Sequence, residues 1–331
     1  MAEPPGPKPI GARWRRVADL PPGAESWGYS AYREAVAEWR EVRQELEDRR
    51  ADRTLMDIWL RERKRDFAIE TGQVEDLYLL RRGVTEQLIT EGFEGVRGAH
   101  SLIPGLSDDT LRGLLEDQEA TLEIVFDLAA ERRPLSHHVF MSLHQLLTRH
   151  QESAVGIHGL TGERIAIPLR RGDYKIRPNN PRRADGFVHE YCPPEQVRSE
   201  LDRLLAFHES HRERELPAEV EAAWLHHEFV RVHPFQDGNG RMSRLLMAYV
   251  FARDGEFPPV ITKEGKRIYI RRLEIADEGD IRPFVRHLAG LSLASTEDAT
   301  TTAREILKGR RHMRHGNGGV TRNGRYYPPT D

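Results

Sequence analysis

Cysteine is nearly absent from this chain of 331 residues, which contains only Cys192, so no disulfide can form within it. Long apolar runs are also lacking, since no stretch approaches the roughly 18 residues that suggest a membrane-spanning helix. The N-terminal segment lacks the apolar core of a signal peptide. An excess of positive charge is missing too, because 50 Lys and Arg residues face 53 Asp and Glu residues. We therefore expect a soluble cytoplasmic protein without membrane or nucleic-acid partners.

Helical periodicity dominates most of the sequence. Residues 30–134 contain apolar side chains three and four positions apart, such as Trp39, Val42 and Leu46, which predict helices with one buried face. The triplet 107–109, Ser-Asp-Asp, is typical of a helix start. Four further helices are predicted downstream: 135–150, 194–212, 217–232 and 281–293.

The segment 156–194 differs from the rest because it is rich in Gly, Pro and Asn. Within it, residues 174–177 and 187–191 have the composition of two short strands. Their connection, 178–186, is too long for a tight two-residue turn. The sequence therefore predicts an all-α protein with one small β-hairpin, which we interpret as a mobile flap.

Neither end of the chain shows periodicity. Residues 1–12 contain four prolines, and we predict a flexible arm over residues 1–29. Residues 309–331 mix Arg, Gly, Asn and Tyr and are predicted to be disordered. The arginines of this tail suit either an acidic partner or simple solvation, and solvation is the favoured interpretation: Arg310, Arg311, Arg314, Arg322 and Arg325.

One polar segment, residues 233–244, stands between two predicted helices and reads His-Pro-Phe-Gln-Asp-Gly-Asn-Gly-Arg-Met-Ser-Arg. Pro234 disfavours helical geometry at His233, so the preceding helix is predicted to end there. Residues 241–253 are predicted to form a helix that is apolar nearly all round from Leu245 to Ala252, which is typical of a buried helix. The pattern is therefore a tight polar loop followed by a buried helix.

This loop has the residue types that bind a polyphosphate. Gly238, Asn239 and Gly240 can adopt backbone conformations in which successive N–H groups face an anion, beside the positive end of the next helix. Arg241 and Arg244 are three residues apart and share a helix face. Two guanidinium groups beside such a loop favour a polyphosphate over a single carboxylate.

Two more side chains of the segment supply chemistry. Asp237 offers a hard oxygen ligand for the Mg²⁺ that normally accompanies phosphates. His233 is a base whose unperturbed pKa of about 6.5 lies close to working pH. A base, a metal ligand, a phosphate loop and two arginines within one short segment predict phosphoryl or nucleotidyl transfer.

Other patterns in the sequence are less specific than this segment. A Gly-Asn-Gly turn alone is unspecific, because residues 316–318 repeat it in the tail without the Asp, the arginine pair or the apolar helix. The sequence contains no Walker A loop and no complete dinucleotide-binding fingerprint. A reactive nucleophile at Cys192, before two prolines, is a minor alternative. The histidines at 137, 138, 144 and 150 are interpreted as surface or packing residues.

The full string matches the motif His-x-Phe-x-(Asp/Glu)-Gly-Asn-Gly-Arg-x-x-Arg at every defined position, and the chain therefore resembles the Fic (Fido) family of nucleotidyltransferases. The resemblance implies a Fido core over residues 135–293 and an N-terminal helical region over residues 30–134. Residues 294–331 would form a C-terminal helix and a basic tail. Family members with this motif typically transfer AMP from ATP to a Ser, Thr or Tyr hydroxyl of a target protein.

The resemblance also implies a role for each motif residue. His233 would deprotonate the target hydroxyl, and Phe235 would anchor the loop in the core. Asp237 would hold Mg²⁺, or Mn²⁺ in its place, between the α- and β-phosphates. Phosphate binding would fall to five residues, of which the last fixes the γ-phosphate: Gly238, Asn239, Gly240, Arg241 and Arg244. Gly240 stands where a kinase-like branch has lysine, which favours AMP transfer.

Self-inhibition is a further implication. Many family members carry an inhibitory helix with the pattern (Ser/Thr)-x-x-x-Glu-(Gly/Asn), and residues 71–76 match it except for Asp76 at the last position. Such a helix would lie near residues 67–80, with Glu75 paired to Arg244. The alternatives are that Glu75 is an ordinary solvated carboxylate, or that the weaker match ending at Glu305 is the inhibitor.

The flap of the family pairs with an extended segment of the target, a form of strand addition. Lys175, Ile176 and Arg177 would be the docking residues here, although ordinary strand roles fit them equally well. The sequence thus predicts an autoinhibited protein adenylyltransferase that uses ATP and modifies a target protein, with self-modification as a second outcome. Two alternatives stay open: removal of AMP at the same site, and a binding module without turnover, against which the intact His233 argues.

Overall fold

The structure is a computed structural model that describes residues 10–93, 102–103, 105–157, 163–181 and 188–309. Ten α-helices account for most of these residues. They are α1 (Ser30–Asp48), α2 (Thr54–Val74), α3 (Arg82–Glu91), α4 (Asp108–Ala130), α5 (His137–Leu147), α6 (Val197–Glu213), α7 (Ala218–Val232), α8 (Asn239–Arg253), α9 (Lys266–Asp277) and α10 (Arg282–Leu307). Four short strands complete the fold: β1 (Ile10–Ala12), β2 (Ser153–Ile157), β3 (Arg164–Pro168) and β4 (Val188–His189). The prediction of a mainly helical fold with a small hairpin is confirmed.

Local signals in the sequence set several helix ends. Ser107 caps α4 as predicted, because its hydroxyl oxygen accepts a hydrogen bond from the Thr110 N–H at 3.1 Å. Ser136 caps α5 in the same way through the N–H of Val139 at 3.2 Å. None of the helices in the described ranges has the length and apolarity needed to cross a membrane.

The centre of the molecule is the pair α7 and α8, packed against α4. Residues 241–251 of α8 are all buried, as the apolar pattern predicts. The same hydrophobic core contains Val36 and Phe67 from the N-terminal helices and Phe284 from α10. The helices before residue 134 therefore help to enclose the helix that carries the motif.

The prediction of a flexible N-terminal arm is wrong for residues 10–29, whereas residues 1–9 lie outside the described residues. Val17 and Leu20 are buried in the core, and the Val17 N–H donates to Glu200 at 2.8 Å. The indole N–H of Trp224 donates to the Ala18 carbonyl at 2.8 Å. Because this segment packs without helical or strand periodicity, its sequence carried no signal of order.

The hairpin exists, but it is not formed by the predicted strands. β2 and β3 pair antiparallel, with Ser153 opposite Pro168. Residues 174–177 contribute a single bridge between Tyr174 and Phe235, and β4 pairs in parallel with β1 instead. The alternation at 174–177 arises because the chain runs along the motif loop, where the Lys175 N–H donates to the Pro234 carbonyl at 2.8 Å. Phe187, assigned to the second predicted strand, lies outside the described residues.

The predicted boundary between residues 293 and 294 is also wrong, because α10 runs through it without a break. The second half of α10 is rich in Ser and Thr, and this composition does not predict a buried helix. Thr296 and Thr300 are buried because each hydroxyl donates to the carbonyl one turn earlier, at 2.8 Å in both cases. The predicted disorder from residue 309 concerns residues 310–331, which lie outside the described residues.

Candidate active site

The motif loop joins α7 to α8 through two left-handed residues. α7 ends at Val232, and His233 caps it with φ 48° and ψ 56°, so the predicted helix end is confirmed. Gly238 has φ 78°, a conformation that glycine adopts without strain, and α8 begins at the next residue. Two reversals within six positions turn the loop back so that its side chains converge at the N-terminus of α8.

Asn239 and Phe235 close the loop on itself. The Asn239 amide oxygen accepts from the Phe235 N–H, and its amide nitrogen donates to the Phe235 carbonyl, both at 2.8 Å. Phe235 is fully buried, and its ring stacks on His144 with centroids 3.8 Å apart. The loop is therefore anchored in the core through Phe235. The Asn239 amide is engaged with the loop backbone in this state.

His233 is held as a neutral base. Its Nδ1 lies 3.0 Å from the Val230 carbonyl, which can only accept, so Nδ1 carries the proton and Nε2 has a free lone pair. The ring stacks on Tyr191 with centroids 3.7 Å apart. Burial, and after it the charge of Lys175, lowers the pKa of His233 to about 3. The imidazole is thus uncharged at neutral pH and able to accept a proton.

Asp237 lies beside the start of α8 with one hydrogen bond to each carboxylate oxygen. Oδ1 accepts from the Gly238 N–H and Oδ2 accepts from Gln151, both at 2.7 Å. Burial acts to raise the pKa of Asp237, but the charge of Arg241 and these hydrogen bonds outweigh it and lower the pKa below its usual value. Asp237 is therefore ionised and keeps lone pairs for a cation. No group of three or more acidic, His or Cys side chains in the described ranges could hold a metal ion.

Arg241 presents unused hydrogen-bond donors inside the protein. Its side chain is 1% exposed, and Nη2 donates to Gln151 at 2.6 Å. Nε and Nη1 are buried and have no hydrogen-bond partner among the described residues. A buried guanidinium with two unsatisfied donors is costly unless an anion completes it. The site therefore has the electrostatic character of an anion pocket.

Arg244 is equally buried but is occupied by the protein itself. Nη2 donates to Glu75 at 2.7 Å and to the Thr71 carbonyl at 3.1 Å, and Nη1 donates to Tyr269 at 3.5 Å. Burial acts to lower the pKa of Arg244, but the Glu75 carboxylate outweighs it and raises the pKa. The predicted partners Glu75 and Arg244 are thus in contact, whereas Glu305 lies near the end of α10 and pairs with Lys308.

Glu75 also lies over the phosphate loop. A Cβ added to Gly240 would fall 2.2 Å from Oε1 of Glu75, so the carboxylate covers the first turn of α8. Asp76, the departure from the inhibitory pattern, has φ 57°, a conformation that Gly, Asn and Asp tolerate best. The residue type at this position is therefore explained by the left-handed backbone that ends α2.

The three predicted docking residues are dispersed rather than aligned on a strand. Lys175 is 4% exposed, and its Nζ donates to Asn179 at 2.9 Å and to the Val232 carbonyl at 3.4 Å. Burial lowers the pKa of Lys175 to about 8. Ile176 and Arg177 are exposed. Cys192 is buried, and burial raises the pKa of its thiol to about 12, which disfavours the nucleophile alternative.

Two residues near the motif loop escaped the sequence analysis. Gln151, just after α5, bridges Asp237 and Arg241, and nothing in its sequence surroundings indicates this. His144 was assigned to the surface or to packing, but its Nε2 donates to the Asp237 carbonyl at 3.0 Å and its Nδ1 accepts from Gly172 at 2.9 Å. Burial lowers the pKa of His144 to about 4, so its ring is neutral. Its spacing of four from Phe140 placed it on the buried face of α5, which was a usable signal.

Comparison with known proteins finds relatives by sequence. A sequence model of the Fic/DOC family matches residues 134–251. The proteins named "protein adenylyltransferase Fic" of Aedes aegypti and Drosophila melanogaster are each 52% identical to this chain over 68 residues. That stretch is 20% of this chain and 14% of each insect protein, so the chain matches only a small part of these relatives.

Solved structures resemble the chain over a much larger part. A Fic domain-containing signalling protein from Bacteroides thetaiotaomicron has a TM-score of 0.65 at 24% identity, covering 83% of this chain and 97% of that protein. Fic-1 from C. elegans has a TM-score of 0.57 at 23% identity, covering 83% of this chain and 72% of that chain. At these identities the likeness concerns the fold, which extends well beyond the motif.

Proposed function

We propose that the protein transfers AMP from ATP to a Ser, Thr or Tyr hydroxyl of a target protein, because a sequence model of the Fic/DOC family matches residues 134–251. The observation that carries the proposal is the buried Arg241 beside the ionised Asp237, since its Nε and Nη1 have no partner in the part of the chain that the structure describes. The relatives that are 52% identical to this chain over 68 residues are named adenylyltransferases, which favours transfer over AMP removal or binding alone.

The transfer step follows from the positions of the loop residues. The hydroxyl oxygen of the target attacks the α-phosphorus of ATP while Nε2 of His233 accepts the hydroxyl proton. The bond between the α-phosphorus and the oxygen bridging to the β-phosphate breaks, and its electron pair leaves with pyrophosphate. Arg241 and the N–H groups at the start of α8 stabilise the negative charge of the phosphates. The protein contributes positioning and electrostatics rather than covalent chemistry.

Asp237 is the residue that would hold a metal. Mg²⁺ commonly binds through one or two carboxylates together with substrate phosphates, and Asp237 beside an anion pocket fits that donor set, as it also fits Mn²⁺. When bound, the ion would neutralise charge on the phosphates. The protein's own contribution is to keep Asp237 ionised and fixed by its hydrogen bonds to Gly238 and Gln151.

We further propose that Glu75 inhibits the site. Its carboxylate takes the Nη2 donor of Arg244 and covers the backbone at Gly240, where the phosphates of ATP would bind. Nη2 of Arg244 donates to Glu75 and to the Thr71 carbonyl, so both of its N–H groups are used and neither can reach a γ-phosphate while Glu75 is in place. ATP must therefore displace Glu75 to bind in the productive position, which lowers the fraction of competent enzyme.

Target docking is proposed along the hairpin and the loop that follows it. Val155 of β2 and Ile176 are large apolar side chains that are 63% and 65% exposed, and Arg177 beside Ile176 is exposed as well. An extended target segment could bind here by strand addition, which would present its hydroxyl to His233. Lys175 does not face this surface and instead supports the loop of His233.

The near-absence of cysteine supports a cytoplasmic location.

The proposal is tested by incubating the protein with Mg-ATP, alone and with a cell lysate, and mapping modified peptides by mass spectrometry. We expect AMP on hydroxyl side chains of this chain or of a target. His233→Ala should abolish the modification while ATP affinity, measured by calorimetry, stays nearly unchanged, because the imidazole acts on the proton rather than on the phosphates. Modification by His233→Ala at the rate of the unaltered protein would disprove the role of His233.

A further inference from the structure

Gln151 lies between α5 and β2 and contacts the two charged residues that flank the phosphate loop. Its Nε2 lies 2.7 Å from Oδ2 of Asp237, and its Oε1 lies 2.6 Å from Nη2 of Arg241. The amide orientation is unambiguous, because a guanidinium only donates and an ionised carboxylate only accepts. One side chain thus makes hydrogen bonds to a carboxylate and to a guanidinium at the same time.

An amide is the group that can do this. A carboxylate at position 151 would pair with Arg241 but repel Asp237, and an ammonium would do the reverse. An apolar side chain would leave Asp237 and Arg241 free to pair directly, since the two already interact electrostatically. Such a pair would consume the lone pairs that a cation needs and the N–H groups that phosphates need.

The backbone of Gln151 is fixed independently of its side chain. Arg171, in the loop after β3, donates from Nη2 and Nε to the Gln151 carbonyl at 2.8 and 3.1 Å. The side-chain Nε2 of Gln151 also donates to the Ser153 carbonyl at 3.1 Å. The amide is therefore held from the side of the hairpin and presented to the motif loop.

We propose that Gln151 is a positioning residue for nucleotide and metal binding, which holds Asp237 and Arg241 apart so that each faces the substrate phosphates. With the amide in place, Asp237 keeps lone pairs on both oxygens and Arg241 keeps Nε and Nη1 for an anion. The inference rests on the proposed function, because it concerns the same phosphate site.

The test compares two substitutions that should act in opposite directions on the metal. Gln151→Leu removes the hydrogen bonds to Asp237 and Arg241 together with the one to Ser153, and Gln151→Glu replaces the amide by a carboxylate of the same shape. Both are placed in the Glu75→Gly background so that Glu75 does not compete with ATP. Affinity is measured by calorimetry for ATP in EDTA and for ATP with saturating Mn²⁺, and the ratio of the two dissociation constants gives the gain due to the metal.

The chain offers a matched control in Gln44, whose Nε2 donates to Asp48 at 2.9 Å on the exposed face of α1. Gln44→Glu puts a carboxylate beside another carboxylate far from the motif and should change neither affinity. Thermal melting of all variants checks that they fold. Leu and Glu differ in charge and polarity, so one of the two Gln151 variants can fold even where the other does not. The metal-dependent gain of a single folded variant can still be compared with that of the Glu75→Gly protein.

Gln151→Leu should weaken ATP binding about 10-fold or more and reduce the Mn²⁺-dependent gain, in the range seen when a partner of a metal ligand is removed. Gln151→Glu should weaken ATP binding in EDTA, because it neutralises Arg241, but should increase the Mn²⁺-dependent gain. The proposal would be overturned if the folded variants had the same Mn²⁺-dependent gain as the Glu75→Gly protein. This holds even if ATP binding in EDTA and ATP binding with Mn²⁺ were both weakened to the same extent. Failure of the Glu75→Gly protein itself to bind Mn-ATP would instead refute the proposed function.

Discussion

Oε1 of Glu75 lies 2.7 Å from Nη2 of Arg244, although 169 positions separate the two residues in the chain. The contact joins the end of α2 to the first turns of α8. Arg244 is 1% exposed, whereas the Glu75 side chain is 35% exposed, so the carboxylate reaches the guanidinium from the solvent side. Glu75 can therefore leave without unpacking the core, which suits a reversible block.

Glu75→Gly should raise AMP transfer. Loss of the carboxylate frees Arg244 and the Gly240 backbone, and a bias of a few kcal/mol at a two-state site corresponds to a change of about tenfold or more in competent enzyme. Self-modification with radiolabelled ATP measures the effect. The double variant with Arg244→Ala should lose the gain, and Glu305→Gly should have no effect. An increase with Glu305→Gly but not with Glu75→Gly would place the inhibitor on α10.

Asp76 should strengthen the inhibition imposed by its neighbour. Its carboxylate pairs with Lys263 and with Lys266, at 2.6 Å for the latter, which ties the end of α2 to the start of α9 and the segment before it. Asp76→Asn keeps a residue that tolerates φ 57° but removes the charge. Exposed ion pairs are worth less than about 1 kcal/mol each, and this substitution weakens two of them, so transfer should rise less than about 30-fold.

The same reasoning predicts that added salt raises transfer by the unaltered protein more than by Asp76→Asn, since salt screens exposed pairs. Asp48→Asn, on the exposed face of α1, is the control. Equal salt responses of the unaltered protein and Asp76→Asn would show that these ion pairs do not hold Glu75 in place.

Asp237→Ala should lower turnover about 100-fold or more, and raising Mg²⁺ should not restore it. The reason is that Asp237 is the ionised carboxylate beside the buried donors of Arg241. Turnover of the Glu75→Gly protein, with and without Asp237→Ala, is measured over a Mg²⁺ titration. A normal Mg²⁺ dependence of the variant would mean that another residue holds the metal.

The pH profile should depend on Lys175. The pKa of His233 is lowered to about 3, mainly by burial and secondly by the charge of Lys175. The base therefore stays neutral across ordinary pH. Lys175→Met removes the charge and raises the pKa of His233, and protonation then removes the base at a higher pH. The acid limb of the rate profile should therefore move to higher pH.

The measurement is AMP transfer by the Glu75→Gly protein with and without Lys175→Met, followed from about pH 3 to pH 8, a range that includes the lowered pKa of His233 and the usual histidine pKa. Lys64→Met, on an exposed pair with Glu123, is the matched control. Identical acid limbs would show that the charge of Lys175 does not reach His233.

The motif loop could be predicted because its information is local. Pro234 ends α7, Gly238 supplies the left-handed turn, and the apolar run after it gives a buried helix, all within neighbouring residues. The Glu75–Arg244 contact was predicted from a family pattern rather than from physical reasoning, since nothing local to residue 75 specifies a partner 169 positions away.

Long-range polar contacts explain what could not be predicted. Gln151 meets Asp237 and Arg241 across 86 and 90 positions, and a single glutamine after a helix carries no periodic signal. Residues 174–177 resembled a strand because polar and apolar side chains alternate there. In the fold they lie along the motif loop, where the alternation separates the buried Lys175 from the exposed Ile176.

The most direct test of the account uses ATP labelled in either the α- or the γ-phosphate, incubated with the Glu75→Gly protein and Mg²⁺. The account predicts that label from the α-phosphate becomes stably attached to protein hydroxyl groups, that label from the γ-phosphate does not, and that His233→Ala abolishes the attachment. Attachment of the γ-label, or no attachment of either label by a folded protein that binds ATP, would contradict it.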